Sequence, residues 1–303
     1  MVKKHKRKKI SWELTLLAIP GLVFIFFFKI VPLYGLQIPF KDINYAKGIW
    51  GSPWIGLKNF EFFFRSQDAF RVTRNTLLFN FIFIVVGLIV SVTLALLLFE
   101  LPRTQVKIYQ TAMFIPYFLS WIVISYILYA ILNPLMGLLP HFLKNFNMQA
   151  PNYYLESKYW IVILPICVLW KGIGSSTLLY YAALMSIDPN QFEAAAIDGA
   201  NKLQITFRIS IPYLGALITL LLILNIGNIF YSDFGMFYFL TRDSGPLYSL
   251  TDTIDTYVYR ALRVTGDIGM SSAMGLYQSL VGFVLVLGTN LIVRKIRPES
   301  SIF

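Results

Sequence analysis

Apolar runs of about 20 residues alternate with polar stretches along the chain, and each run is long enough to cross a bilayer core as a helix. Six such runs lie at about 14–34, 77–99, 108–132, 159–184, 211–231 and 273–293. They predict an all-α integral membrane protein, with the six spans filling 13–297 between short tails at 1–12 and 298–303. The first run follows six Lys or Arg within residues 3–9, which resembles the charged start of a signal peptide. It is nonetheless long enough to span and ends without a small-residue cleavage site, so it reads as a retained helix with the N-terminus in the cytoplasm. Lys29, near its outer end, reads as a snorkelling cation.

Six spans put both termini on one side of the membrane. The segments 1–12, 100–107, 185–210 and 294–303 carry 13 Lys or Arg in 56 residues, against 11 in 107 for 35–74, 133–158 and 232–272. The first set therefore has about twice the cation density and is placed in the cytoplasm by the positive-inside rule. The segment 232–272 is rich in Asp, Gly, Thr and Tyr. It lacks the Asp/Asn ladder and closing Glu of a calcium loop, so it reads as a solvated external loop with room for one short helix.

With 57% hydrophobic and 14% charged residues, the chain cannot cover a soluble globule with charge. Its net charge of +11 sits at span ends and tails, not in a basic, aromatic-interleaved patch, so lipid and not nucleic acid is the implied neighbour. Cys167 is the sole cysteine, within an apolar run, and reads as a small buried side chain. No Gly-x4-Gly-Lys-Ser/Thr loop is present, so the chain does not bind ATP by that route. The two histidines, His5 and His141, do not form a metal set, and no catalytic cluster stands at membrane depth. Neither a cofactor nor an enzymatic role is expected of this chain.

The most informative stretch is the polar break at 188–212. Asp188, Pro189 and Gln191 form a helix start, with an N-cap, a proline at the first helical position and an amide three residues after the cap. A short Ala-rich helix is predicted from there to Asp198, reversing at Gly199 with φ > 0. A second, amphipathic piece follows, with Leu203 and Phe207, and Ile205 and Ile209, at i, i+4 spacing beside Lys202, Gln204 and Arg208.

The order Glu193-Ala194-Ala195, then Gly199, Ile209 and Pro212 resembles the cytoplasmic loop signature of membrane permeases in binding-protein-dependent ABC importers. Ile211 stands where that family has Leu, a change that keeps apolar volume. Gly56-Leu57-Lys58-Asn59-Phe60, then Phe70, then Asn75-Thr76, is similar to the start of the transmembrane domain in the carbohydrate, maltose-type branch. The resemblance implies a type I permease fold in which Glu193, Ala194, Ala195, Asp198, Gly199, Ile209 and Pro212 belong to a coupling helix that docks on an ATPase. It also implies a second permease as heterodimer partner, two ATP-binding subunits that carry ATP and Mg, and an extracellular solute-binding protein. A permease for a non-sugar solute is the alternative, and a secondary transporter a more distant one.

Candidates for the solute path are the polar and aromatic residues at depth. Lys171, near the centre of the fourth run, costs about 2.5–3.5 kcal/mol on insertion scales and must find a polar setting. Two readings stay open for it. One is a path wall in which Trp170 stacks on a sugar face while Lys171 and Ser175 bond its hydroxyls. The other is a packing patch with Lys171 paired to a backbone carbonyl. Trp121, Asn225, Asn228 and Gln278 complete the set.

Overall fold

The computed structural model describes residues 12–296 and 298. The basic stretch at 3–9, with His5, lies outside them. Among the described residues five helices are long and apolar enough to cross a membrane, and a bent pair, taken as one span, is a sixth.

The first span enters as Trp12–Ile25, passes through a π turn and ends in a 3-10 segment, Val31–Phe40, with Pro32 and Pro39. Proline cannot donate the i→i−4 bond, so the tighter winding near these residues is what the sequence permits. Lys29 is exposed, and the span rests on the sixth through its 3-10 part. The second span, Gln67–Phe99, starts where the Ser66 side chain accepts from the Ala69 N–H, with Asp68 in the first turn.

The third run is not one helix. Arg103–Phe114 passes into a 3-10 turn, Ile115–Phe118, and then breaks; Trp121–Leu132 leaves at 97° to what precedes it. Pro116 opens the 3-10 turn, Leu119 is extended, and the Ser120 side chain caps a new helix by accepting from the Val123 N–H. The continuous span expected at 108–132 is thus corrected to an elbow, because a proline and an N-cap four residues apart favour stopping and restarting over continuing.

The fourth span, Trp160–Leu184, is continuous through Pro165 and packs along the second. A Cβ on its Gly174 would overlap the Met113 carbonyl, so glycine lets it approach the first half of the elbow. The fifth span, Ile211–Gly227, touches the sixth, Ile268–Ile296, where Gly227 faces Gly282.

The segment 232–272 corrects a second expectation. It is packed into the bundle rather than solvated: Met236, Phe237, Leu240, Leu247 and Ile254 are almost fully buried. The first four share one core with Phe79, Ile124, Trp160 and Leu164. Asp252 and Asp243 turn inward because cations meet them. The buried Asp252 carboxylate accepts from Arg71 at 2.9 Å and pairs with Arg260, which also reaches Asp243. Burial pulls the Arg260 guanidinium down, but Asp252 and Asp243 outweigh it and raise Arg260 above its ordinary value. Asn75 donates to the Asp252 carbonyl and Thr76 accepts from the Ile254 N–H, stitching the segment to the second span.

Candidate functional site

The break at 188–212 is built as a capped helix whose outer face meets nothing among the described residues. Asp188 accepts from the Asn190 N–H at 3.0 Å, Pro189 opens the helix Pro189–Ile197, and Gly199 sits at φ +76°. The Ala200 N–H reaches the Ala195 carbonyl at 2.9 Å and the Gly199 N–H the Ala196 carbonyl at 3.1 Å. Those two bonds are the C-terminal cap that a left-handed residue makes possible. A capping box of Asn201 and Gln204 then starts the next turn, and Pro212 sits in the first turn of the fifth span.

Residues of the signature fall into two groups here. Glu193, Ala194 and Asp198 are exposed, as is Ile197 beside them at 86%, and Ala195 is half-buried. Ile209 packs instead on the core of Ala95, Leu184 and Leu214, and Phe192 meets Phe99 at 5.5 Å between ring centres. Lys202 pairs with Glu100 at 2.5 Å. The helix is held firmly from one side and leaves a small-residue face free.

Deeper in the bundle, a cavity of about 430 Å³ opens between the second, fourth and fifth spans. Its polar lining is Asn80, Ser91, Ser176, Tyr180, Asn225, Asn228 and Tyr231, set among Phe83, Leu88, Val168 and Leu221, with no charged residue among the described ones. A volume near this size suits a small organic solute. Asn225 and Asn228 are exposed at its open side. The Asn80 amide donates to the Ile229 and Tyr231 carbonyls at 2.8 and 2.9 Å, and the Tyr231 hydroxyl meets Ser279 at 2.7 Å.

Of the path candidates, the cavity gathers Asn225 and Asn228 and leaves out the rest. Trp170 is exposed and outside the lining. Ser175 bonds back to the Gly172 carbonyl. Gln278 is buried and donates to the Phe230 carbonyl at 2.6 Å. Trp121 donates its indole N–H to Asp233 at 2.5 Å. The Lys171 ammonium donates to the Tyr117 and Leu119 carbonyls at 2.7 and 2.6 Å, the backbone-carbonyl pairing that the packing reading describes. Asn80 and Ser91 were missed. The signal was there in the second run, where Asn80, Gly87 and Ser91 stand at i, i+7 and i+11 and so share one helical face.

The chain is 33% identical over 294 residues to Protein LplB of Bacillus subtilis, covering 97% of this chain and 92% of that one. It is 32% identical to the polygalacturonan/rhamnogalacturonan transport system permease protein YteP of the same organism, covering 98% and 94%. The sn-glycerol-3-phosphate transport system permease protein UgpA of Yersinia enterocolitica is 30% identical over 95% of this chain and 97% of its own length. A chain of a bacterial alginate ABC transporter, solved in complex with an alginate pentasaccharide-bound periplasmic protein, superimposes with a TM-score of 0.84. It is 26% identical, covering 94% of this chain and 95% of that one. Residues 87–298 match the model for the binding-protein-dependent transport system inner membrane component, and the chain belongs to that family of ABC importer permeases.

Proposed function

We propose that this permease forms one half of the path by which a sugar or oligosaccharide, delivered by an external solute-binding protein, crosses the membrane at the cost of ATP. A second, different permease supplies the other half. Two separate ATPase subunits carry ATP and Mg; one grips the Pro189–Ile197 helix, and the second permease supplies the lever for the other. Both termini and the 188–212 loop lie in the cytoplasm.

The observation that carries this reading is the cavity's lining of amides and hydroxyls without a charge. Sugar hydroxyls donate and accept in the same way as these groups, while the flanking apolar side chains match the C–H faces of a pyranose ring. The relatives named for polygalacturonan and alginate support an oligosaccharide. The UgpA relationship would favour a phosphate ester, but a phosphate dianion finds no cation in this cavity to replace its water.

In the mechanism, closure of the ATPases displaces the loop helix, and the spans switch between states open to opposite sides. ATP drives the switch only through its different binding energy in the two states. The complete importer, purified with its co-expressed neighbours and placed in proteoliposomes, tests this by ATP-dependent uptake of labelled neutral oligosaccharides, uronate oligosaccharides and glycerol 3-phosphate. Uptake of an oligosaccharide that falls at least tenfold in Asn225→Leu, with ATPase assembly intact, is the expected result. Uptake of glycerol 3-phosphate alone overturns the sugar reading.

A further inference from the structure

A broken helix at membrane depth leaves carbonyls that neither the helix nor water satisfies. The elbow of the third span does so at Tyr117 and Leu119, and one side chain from another span takes both: the Lys171 ammonium. It forms no ion pair among the described residues, and it stands 5.5 Å from the ring centres of Tyr117 and Trp121 on either side of the break. A cation that would be costly at this depth is thereby surrounded by carbonyl dipoles and π faces, which fix it in place.

Three further features concern the same junction. Gly174, three residues after Lys171, brings the fourth span against the Met113 carbonyl, so that span holds the elbow before the break as well as at it. Asp233 takes the Trp121 indole N–H from the side of the segment 232–272. The fourth span then runs unbroken from Lys171 to Leu184, about 20 Å at helical rise, and a short turn joins it to the Asp188 cap of the exposed helix.

We propose that Lys171 is a positioning residue for transport: it locks the elbow of the third span to the fourth, so that a displacement of the Pro189–Ile197 helix carries both as one body. The moving role of that helix rests on the function proposed above, but the lock itself does not. Lysine suits the task because its three donors converge on carbonyls that no carboxylate partner competes for.

The test uses the importer complex purified with its co-expressed partners. Cys167 is replaced by Val, and spin labels are placed at Ile122 on the outer limb of the elbow and Leu178 on the fourth span, both exposed. Inter-label distances are measured without nucleotide and after trapping with ATP and vanadate. The expected result is a distance that changes by less than about 2 Å between the states in the otherwise unaltered chain. In Lys171→Met the same pair should shift or broaden by about 5 Å, the scale of one helical turn, and Lys171→Arg should restore a narrow distribution. A larger change in the unaltered chain overturns the lock, and so does a Lys171→Met complex that keeps the narrow distance in both states. If Lys171→Met does not assemble, the distance in the unaltered chain and the Lys171→Gln complex, which keeps a donor, decide the matter. Failure of the distance test leaves ATPase docking and sugar uptake intact, so it is separable from failure of the proposed function.

Discussion

Two polar breaks in the apolar pattern, 185–210 and 232–272, have opposite fates. The second turns inward and closes its own charges: Arg71 and Arg260 meet Asp252, and the Ser232 N–H and hydroxyl meet Asp255 at 2.6 and 2.7 Å. The first caps its backbone at both ends and packs Ile187, Phe192 and Ile209 on the bundle, but it leaves the opposite face of its helix outward, and no residue of the helix Pro189–Ile197 is buried. A polar segment that satisfies itself contributes to the fold, whereas one with finished backbone and unfinished side chains presents a surface for something else. The contrast separates what holds this permease together from what it offers to a partner.

Substitutions at the two breaks should therefore differ in kind. The largest effect is expected from Asp252→Asn. The Asp252 side chain is fully buried and serves two guanidiniums, so removing its charge takes away the one carboxylate they share and leaves Arg71 only Asp68 and Arg260 only Asp243. Breaking a buried pair in this way costs about 3–5 kcal/mol. Thermal unfolding in detergent, or the yield of folded chain, should register the loss. A stable Asp252→Asn protein would show that the network is dispensable and that the contrast between the loops is false.

Next comes Gly199→Val. Open space surrounds the position where a Cβ would be added, so the cost is purely conformational: a β-branched residue at φ +76° loses about 1–2 kcal/mol locally. The expected outcome is a permease that folds, with a misdirected loop helix that lowers ATPase co-purification or lets ATP be hydrolysed without transport. Normal coupling in Gly199→Val would remove the docking role from this loop.

How much of this was legible follows the same division. Local rules are written in neighbouring residues, so the Asp188 cap, the Gly199 reversal and the fifth-span start at Pro212 could be read directly from the chain. The elbow was also signalled, by Pro116 and Ser120, but an apolar run on both sides of it reads as one span when hydropathy alone is followed. The fate of 232–272 could not be read, because the buried Asp252 meets not only the nearby Arg260 but also Arg71, 181 positions away. Nor could the sequence say which polar residues meet: Asn225 and Lys171 both stand at depth, yet one lines the cavity and the other holds a broken helix. Burial of a charge is a property of pairs, and the pairs are made by the fold.

A smaller effect is expected from Glu193→Ala. The residue is exposed and its carboxylate makes no hydrogen bond or ion pair among the described residues, so stability should stay within about 0.5 kcal/mol. ATPase association, measured by co-purification, should nonetheless fall. A destabilised Glu193→Ala chain with unchanged association would reverse the assignment of this face.

The smallest effects concern two tyrosines at the packed end, and here the sign depends on what each hydroxyl touches. Tyr248 donates to the Asp243 carboxylate at 2.9 Å, while the buried Tyr154 hydroxyl has no partner among the described residues. Burial pushes both phenols up to about 12; the Asp243 hydrogen bond adds to this in Tyr248, and Arg242 opposes it in Tyr154. At neutral pH, Tyr248→Phe should cost about 0.5–1.5 kcal/mol, the usual net worth of a lost hydrogen bond. Tyr154→Phe should be neutral or slightly stabilising, since it removes a buried group that is not satisfied. Because each folded pKa lies above the unfolded value of about 10, each phenol holds its proton longer in the native state. Its contribution is fully present below about pH 10 and is lost as pH rises toward 12. Either substitution should therefore flatten the alkaline loss of stability in that window, and only Tyr248→Phe should lower the plateau below it. Unfolding midpoints measured from about pH 8 to 11, a range that brackets the unfolded phenol, distinguish the two. A lowered plateau in Tyr154→Phe would mean that its hydroxyl is bonded after all.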